Sequence, residues 1–222
     1  MIKNTLLTIC FLLLGSPAMS ADALRVGMSA DYPPIHFKQD GRYLGIEADN
    51  ATAVGEILSR KVEIVELPFD ELFPALKAGK VDVLMAGLSV TAERSQQVQF
   101  TEPYMRVGQM AIMHKSKLGR FSQPWSVYRE GVRVGVEPGT TGAAFAEREL
   151  KDAQVSYFAN PDEAFQGLRK DVIDLYIHDA PTSWQLANGM ENDDLISLYS
   201  PLTEEMLAWA VASDNDALAG DL

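Results

Sequence analysis

Cysteine is nearly absent: the 222-residue chain contains one, Cys10. It lies in an N-terminal stretch that reads as a leader, so the body of the chain has no thiol. Disulfide scaffolds, cysteine-held metal centres and thiol catalysis are thereby excluded for that body. Histidine is scarce as well, with 3 in the chain, and none stands at metal-ligand spacing from another histidine or cysteine. Positive charge is short. Lys+Arg number 19 against 31 Asp+Glu, for a formal net charge of −12. Nucleic acid and anionic membrane surfaces, which reward basic patches, are therefore poor partners. Long apolar runs are missing too, since the most concentrated one, residues 6–14, is too short to span a bilayer. Neither a glycine-rich phosphate cradle nor a Gly-x-Ser-x-Gly elbow occurs. The methionines form no stripe or cluster.

The N-terminus has a different composition from the rest. Lys3, the apolar run and the small-x-small triplet Ala18-Met19-Ser20 make a cleavable export signal over residues 1–20, with Ala21-Asp22-Ala23 as a later cutting site. Cys10 follows Ile9, where a lipid-modified cysteine requires a small residue. Removing the leader takes Lys3 and no acid, which leaves the remainder one unit more negative. Export without disulfides suits a bacterial periplasm and a core able to fold unaided. Residues 47% hydrophobic and 23% charged indicate globular structure rather than disorder. The length allows two lobes of about 100 residues each.

A repeat supports two lobes. Leu76-Lys77-Ala78-Gly79-Lys80-Val81-Asp82-Val83-Leu84-Met85-Ala86-Gly87 aligns without a gap to Leu168-Arg169-Lys170-Asp171-Val172-Ile173-Asp174-Leu175-Tyr176-Ile177-His178-Asp179. Both read as a helix end, a tight turn and a buried strand opening with Val/Ile-Asp. Upstream, Leu24-Arg25-Val26-Gly27-Met28 echoes Val132-Arg133-Val134-Gly135-Val136. The pattern predicts strands over 24–28, 62–66 and 81–85 with helices over 48–60 and 71–78, then a short helix capped by Thr91. Residues 109–113 read as the crossing into a second lobe. There, strands over 132–136, 155–158 and 173–178 alternate with helices over 141–150, 161–168 and 181–188. Asn160, Pro161 and Glu163 mark one helix start clearly. Residues 207–211 read as a strand returning to the first lobe, followed by a polar stretch without a closing helix. The organisation expected is a leader over 1–20, lobe 1 over 21–108, lobe 2 over 109–206 and a return over 207–222. Such alternation implies α/β lobes, each a mostly parallel sheet flanked by helices. Ligands of open α/β sheets bind beyond the carboxyl ends of the strands.

The loops there carry the groups an α-amino acid needs. Arg94 offers a rigid fork for a carboxylate, beside Ser89. Thr140 and Thr141 open a helix whose first N–H groups favour an anion. Asp179, ending the matching strand of the other lobe, offers a carboxylate to an ammonium. Tyr32 and Phe69 offer aromatic walls. Each also has a plainer reading: Arg94 as half of a surface pair with Glu93, Asp179 as cap of the following helix, Glu137 as a solvated loop acid. Asp82 and Asp174 read as turn-stabilising groups remote from the cleft. His178 and Asp179 are adjacent on a strand and should face opposite sides of it, which argues against a catalytic dyad.

Tyr32-Pro33-Pro34, Phe73-Pro74-Ala75-Leu76, Gly87-Leu88-Ser89-Val90-Thr91-Ala92-Glu93-Arg94, Phe100-Thr101-Glu102-Pro103-Tyr104, Val134-Gly135-Val136, Gly139-Thr140-Thr141 and residues 174–179 resemble the polar-amino-acid group of bacterial periplasmic solute-binding proteins, the receptors of ABC importers. The resemblance covers nearly all of the chain after the leader. It implies the two-lobed periplasmic-binding-protein fold of type II, with the ligand cleft between the lobes. It assigns Tyr32 and Phe69 to sandwiching the ligand side chain, Arg94 to its carboxylate, and the backbone N–H of Thr141 to the same carboxylate. Ala86, Gly87 and Ser89 would offer carbonyl and hydroxyl groups to the ammonium, and Asp179 a carboxylate. The chain departs from the family at Ile46-Glu47-Ala48-Asp49, a more polar helix start. Ser29 stands where relatives place a side-chain-reading aspartate, Glu137 adds an acid near the pocket, and the family's closing C-terminal helix is missing.

The function implied is binding of a polar or basic amino acid for delivery to a membrane ABC permease. The protein would be a monomer, without cofactor, metal or catalysis. An alternative from another class is a cyclohexadienyl-dehydratase-like enzyme with His36 or Glu137 as general acid. A ligand-binding sensory protein would share the same pocket.

Overall fold

The computed structural model describes residues 23–188 and 191–222. The leader expected over 1–20 lies outside the described residues. The chain opens with β1 (Leu24–Met28), followed by the short strands β2 (Asp31–Tyr32), β3 (His36–Gln39) and β4 (Arg42–Leu44). Then come α1 (Ile46–Ile57), β5 (Val62–Glu66), α2 (Leu72–Lys77) and β6 (Val83–Ser89), with β7 (Val98–Phe100) and β8 (Met105–Val107) closing the first part. The second part runs through β9 (Gln109–His114), α3 (Leu118–Phe121), β10 (Arg133–Val136), α4 (Thr141–Glu149), β11 (Gln154–Tyr157), α5 (Pro161–Arg169), β12 (Leu175–Asp179), α6 (Ala180–Asn188) and β13 (Leu195–Ser197). The chain returns along β14 (Glu205–Ala212) and ends with α7 (Asp216–Asp221).

Each lobe is built on one sheet. The first has the order β5-β1-β6-β14-β7, with β8 also paired to β14; the second has the order β11-β10-β12-β9-β13. The repeat in the sequence is thus a repeat in topology. A central strand (β1 or β10) is flanked by parallel neighbours, and an antiparallel strand that follows a crossing between lobes (β14 or β9) adds beyond them. The sheets are therefore mixed rather than mostly parallel on their far side. Those antiparallel strands are the two that follow each crossing between lobes, and chain direction there is dictated by the crossing.

The β6 sequence Val-Leu-Met-Ala-Gly-Leu-Ser is buried at every position, as a strand covered on both faces should be. It begins later than the sequence pattern predicts and runs through Gly87 to Ser89, because β14 pairs with it as far as Ser89. One core packs β1, β6 and β14 against α1, α2 and Leu218 of α7. In the second lobe separate clusters lie on the two faces of the sheet, one under α4 and the other under α5. The α5 start behaves as its sequence reads: Asn160 accepts from the Glu163 N–H at 3.0 Å, and Glu163 reaches back to the Ala159 N–H at 3.3 Å. The polar stretch after the return strand, read without a helix, forms α7. Asn215 caps it through the Leu218 N–H at 3.2 Å, and burial of Leu218 supplies its contact with the core.

Candidate functional site

The carboxyl ends of β6, β10 and β12 meet between the sheets. From the first lobe come Tyr32, Phe69, Gly87, Ser89 and Arg94; from the second, Glu137, Thr140, Thr141, His178 and Asp179. With Ser29 and Asp31 they enclose a cavity of about 40 Å³. Ser29, Asp31, Phe69 and Glu137 also line an adjoining cleft of about 500 Å³, whose wall adds Glu66 and Asp70. On the other side Arg94, Thr140 and Thr141 border a groove of about 580 Å³ that includes Phe73 and Glu205.

Arg94 is 9% exposed and is held by its surroundings. One guanidinium nitrogen donates to the Ser89 carbonyl at 2.9 Å, and another crosses to the Gly139 carbonyl of the second lobe at 3.1 Å. Its carbon lies 5.7 Å from the Phe69 ring centre and 5.4 Å from that of Phe73, within cation–π range. Thr91 fixes the backbone by accepting the Arg94 N–H at 3.1 Å, the capping role its sequence position predicts. Burial lowers the Arg94 pKa, and the carboxylates of Asp179 and Glu205 oppose that shift. With five donors, the fork retains capacity for an anion beyond these two carbonyls.

Asp179 faces it from the end of β12. One carboxylate oxygen accepts the Tyr32 hydroxyl from across the cleft at 2.7 Å, and the other accepts the side-chain amide of Gln109. Burial raises the Asp179 pKa, against the pull of His178, Tyr32 and Gln109. The Tyr32 hydroxyl is pushed well up, by burial first and by Asp179 next. Gly87 permits this crossing. Its φ is +59°, and a Cβ there would stand 2.8 Å from the Tyr32 ring. The Gly87 N–H is held by the buried Glu47 carboxylate at 3.1 Å, which also accepts Tyr104 at 2.6 Å and the Trp209 indole at 2.8 Å.

Glu137 faces inward. Its carboxylate accepts the Tyr176 hydroxyl and lies 3.2 Å from His178 Nε2. Burial opposes charge on His178, but Glu137 and Asp179 outweigh it and the pKa is raised. His178 and Asp179 were expected on opposite faces of their strand, yet both line the cavity. They stand at the last two positions of β12, where the strand gives way to α6 and its edge opens to the cleft. The Ala86 side chain is fully buried in the first core and is not among the residues lining the cavity. His36 is also off the cleft. It is buried under Tyr32, with ring centres 5.3 Å apart and Nδ1 3.0 Å from the Ser29 carbonyl, and burial lowers its pKa.

Sequence reasoning missed Glu47, Gln109, His178 as a cavity wall, and Glu205. Of these, Glu47 left a sequence signal, as an acid in a helix start more polar than the family's. Among the described residues no group of His, Cys, Asp and Glu is placed to hold a metal. Nor is any described helix long and apolar enough to cross a membrane.

Residues 24–218 match the bacterial extracellular solute-binding proteins, family 3. A probable histidine-binding protein of Campylobacter jejuni is 33% identical over 178 residues, covering 79% of this chain and 66% of that protein. A cyclohexadienyl dehydratase of Pseudomonas aeruginosa is 30% identical over 163 residues, covering 73% of this chain and 61% of the enzyme. The chain thus spans just under two thirds of the length of these curated relatives. An ancestral arginine-binding protein bound to arginine superimposes with a TM-score of 0.84 at 31% identity, over 91% of this chain and 89% of that one.

Proposed function

The chain belongs to the bacterial extracellular solute-binding proteins, family 3, and we propose from its cleft that it captures an α-amino acid in the periplasm and delivers it, as a monomer, to an ABC permease. The observation that carries this reading is the placement of Arg94 opposite Asp179: a buried guanidinium and a half-buried carboxylate, on opposite lobes, lining one cavity. A zwitterion satisfies both. Its carboxylate takes the Arg94 fork and the first N–H groups of α4 at Thr141. Its ammonium takes Asp179, with carbonyl and hydroxyl groups of Gly87 and Ser89. Tyr32 and Phe69 flank the side chain.

The cavity of about 40 Å³ has room for a few waters at most and not for an amino acid. Entry therefore requires the lobes to part, breaking the Tyr32–Asp179 and Arg94–Gly139 bonds. Closure over ligand then replaces them, a hinge motion of the kind that bilobed receptors use. The side chain would run into the adjoining cleft, where Asp31 and Asp70 lie, while Glu137 is engaged by Tyr176 and His178 and Glu66 by Lys38 at 2.8 Å. This acidic wall favours a polar or basic side chain and repels an acidic one. A thermal-shift screen of the twenty amino acids tests the reading, because a ligand bound only by the folded state raises the melting temperature. A dominant shift with aspartate or glutamate overturns the side-chain preference; a shift with none overturns amino-acid binding.

A second reading is an enzyme of the dehydratase type. It is favoured by the buried Glu137–Tyr176–His178 cluster and by the likeness to a cyclohexadienyl dehydratase. Glu137 would act as general acid; His36, off the cleft, would not. Aromatic product from prephenate or arogenate, lost in Glu137→Gln, would establish it.

A further inference from the structure

Gln109 makes none of the ligand contacts proposed above, yet it is 2% exposed and sits at the first residue of β9, immediately after the chain leaves the first sheet. Its side-chain amide donates to the Asp179 carboxylate and, at 3.0 Å, to the Thr141 hydroxyl. Its backbone N–H donates to the Thr203 hydroxyl at 2.9 Å, in the segment that carries the chain back. Thr203 donates in turn to one Glu205 oxygen at 2.6 Å, and Thr141 donates to the other at 2.7 Å. A closed ring results: Gln109 to Thr203 to Glu205, and Gln109 to Thr141 to Glu205. Every donor direction along it is consistent, since both arms end on a carboxylate that only accepts.

The ring joins both crossings to the site. A Cβ on Gly108 would lie 2.1 Å from the Thr203 carbonyl, and one on Gly142 would lie 2.8 Å from Gln109 Oε1. The Gln109 carbonyl accepts the Leu202 N–H at 2.7 Å. The amide oxygen is thus close against Gly142 at the start of α4, and the Gln109 backbone is held against the returning segment. Its two donors to Asp179 differ in origin as well. Tyr32 belongs to the other lobe, and its bond is lost when the lobes part. Gln109 lies beside Asp179 in the same sheet, in register across β9 and β12, so its bond does not depend on contact between the lobes.

We infer that Gln109 is a positioning residue that holds the Asp179 carboxylate in its ligand-reading orientation, and that the ring through Thr203 and Glu205 anchors it to the strands about which the lobes turn. A buried carboxylate deprived of a donor bears the desolvation cost of that oxygen and turns to find another partner. Gln109 removes both the cost and the freedom to turn. The inference rests on the reading of Asp179 as the ammonium's partner, and two measurements separate them.

The first needs no ligand: an NMR titration of the Asp179 side-chain carboxyl in the wild type, Gln109→Leu and Gln109→Glu. Tyr32, Arg94, His178 and Glu205 stay in place around it, so the change reads the lost donor. The midpoint should rise by about one unit in Gln109→Leu and further in the isosteric Gln109→Glu, which opposes one carboxylate with another. An unmoved midpoint overturns the inference. The second measures affinity for the amino acid giving the largest thermal shift. Gln109→Leu should weaken it about tenfold in the wild-type background and less than about twofold in an Asp179→Asn background, the non-additivity expected of coupled residues. Fully additive losses overturn the positioning role. Unchanged affinity in Asp179→Asn alone overturns the ammonium reading, and the titration still decides for Gln109.

Discussion

The feet of the two sheets are built alike, whereas their cleft ends are not. At the foot of the first sheet Asp82 accepts the Arg25 backbone N–H at 2.8 Å and its guanidinium at 3.2 and 2.5 Å, and the guanidinium also reaches the Gly79 carbonyl at 2.6 Å. At the foot of the second, Asp174 accepts the Arg133 N–H at 3.1 Å and its guanidinium at 3.1 and 2.7 Å, with Asp171 offering the carbonyl. Gly79 and Asp171 both turn the chain with positive φ, 66° and 54°. At the cleft ends the aligned positions are Gly87 and Asp179. One clears space for an aromatic ring, and the other places a carboxylate. Neighbours also distinguish the two feet. The Asp174 side chain is 2% exposed with Lys117 at 2.9 Å, while that of Asp82 is 21% exposed with Arg60 at 3.9 Å. A repeated turn-and-strand motif thus rebuilds the same clasp, while elements added outside the motif decide how deeply it is buried.

If the cleft ends carry function and the feet carry stability, substitutions should sort accordingly. The largest effect is expected at Arg94. Arg94→Ala should cost roughly 2–5 kcal/mol of binding, some 30-fold to several-thousand-fold in affinity, with the chain still folded. Arg94→Lys should recover only part, because a point charge lacks the planar fork. Calorimetry with near-normal affinity for Arg94→Ala would break the comparison at its cleft end.

Asp179→Asn comes next. It should weaken an amino acid by about a hundredfold, on the scale of a lost charge-assisted bond, and spare a des-amino analogue with the same side chain. Equal losses for both ligands would mean that Asp179 shapes the cleft without reading charge.

The feet provide the third comparison. Asp174→Ala should lower stability by about 2–3 kcal/mol, and Asp82→Ala by about 1 kcal/mol, since ion pairs made by the more deeply buried carboxylate are less screened by water. Urea denaturation of the two variants decides it, and equal losses would show that burial of the clasp is immaterial. Neither should change ligand affinity by more than about twofold.

The smallest effect is the pH dependence of that difference. Burial opposes charge on Asp174, but the donors of Arg133 and Lys117 outweigh it and hold its pKa well below the ordinary carboxylate range; Asp82 is lowered by Arg25 in the same sense. A lowered folded pKa means stability that is present above the unfolded value, about 3.9, and lost as pH falls towards the folded one. Wild type and Asp174→Asn should therefore differ at pH 7, with a gap that begins to narrow below about pH 4 and is still narrowing at pH 2, because the folded-state value lies far below the unfolded one. A gap as wide at pH 2 as at pH 7 would assign the Asp174 contribution to packing rather than to charge.

Much of this fold is legible in the residues. The repeat, the alternating strands and helices and the Asn160 cap all lie in local patterns that tertiary structure leaves in place. The small β2-β3-β4 sheet was missed although Asp40 and Gly41, with φ of 50° and 75°, make the two-residue hairpin turn that such a dipeptide signals. Its strands of two to four residues are too short for alternation to register. At the site, Arg94, Thr141, Tyr32 and Asp179 stand in motifs, so resemblance finds them. Glu47, Gln109 and Glu205 stand in none. Their partners are remote in sequence: Glu47 meets Trp209 across 162 residues, and Gln109 meets Asp179 across 70.

By itself, then, the sequence determined the two α/β lobes, the turn and its acid at each foot, and the presence of a cationic fork and a carboxylate beyond the strand ends. Those depend on propensity, burial pattern and turn chemistry within a few residues. Only the tertiary structure decided that β14 would extend β6 through Ser89, that His178 would join Asp179 in the cavity wall, and that Glu47 and Gln109 would hold the site from behind. The reason is physical. A polar side chain acquires its role from the donors and acceptors left once water is excluded, and which groups those are is set by the chain's long-range pairing.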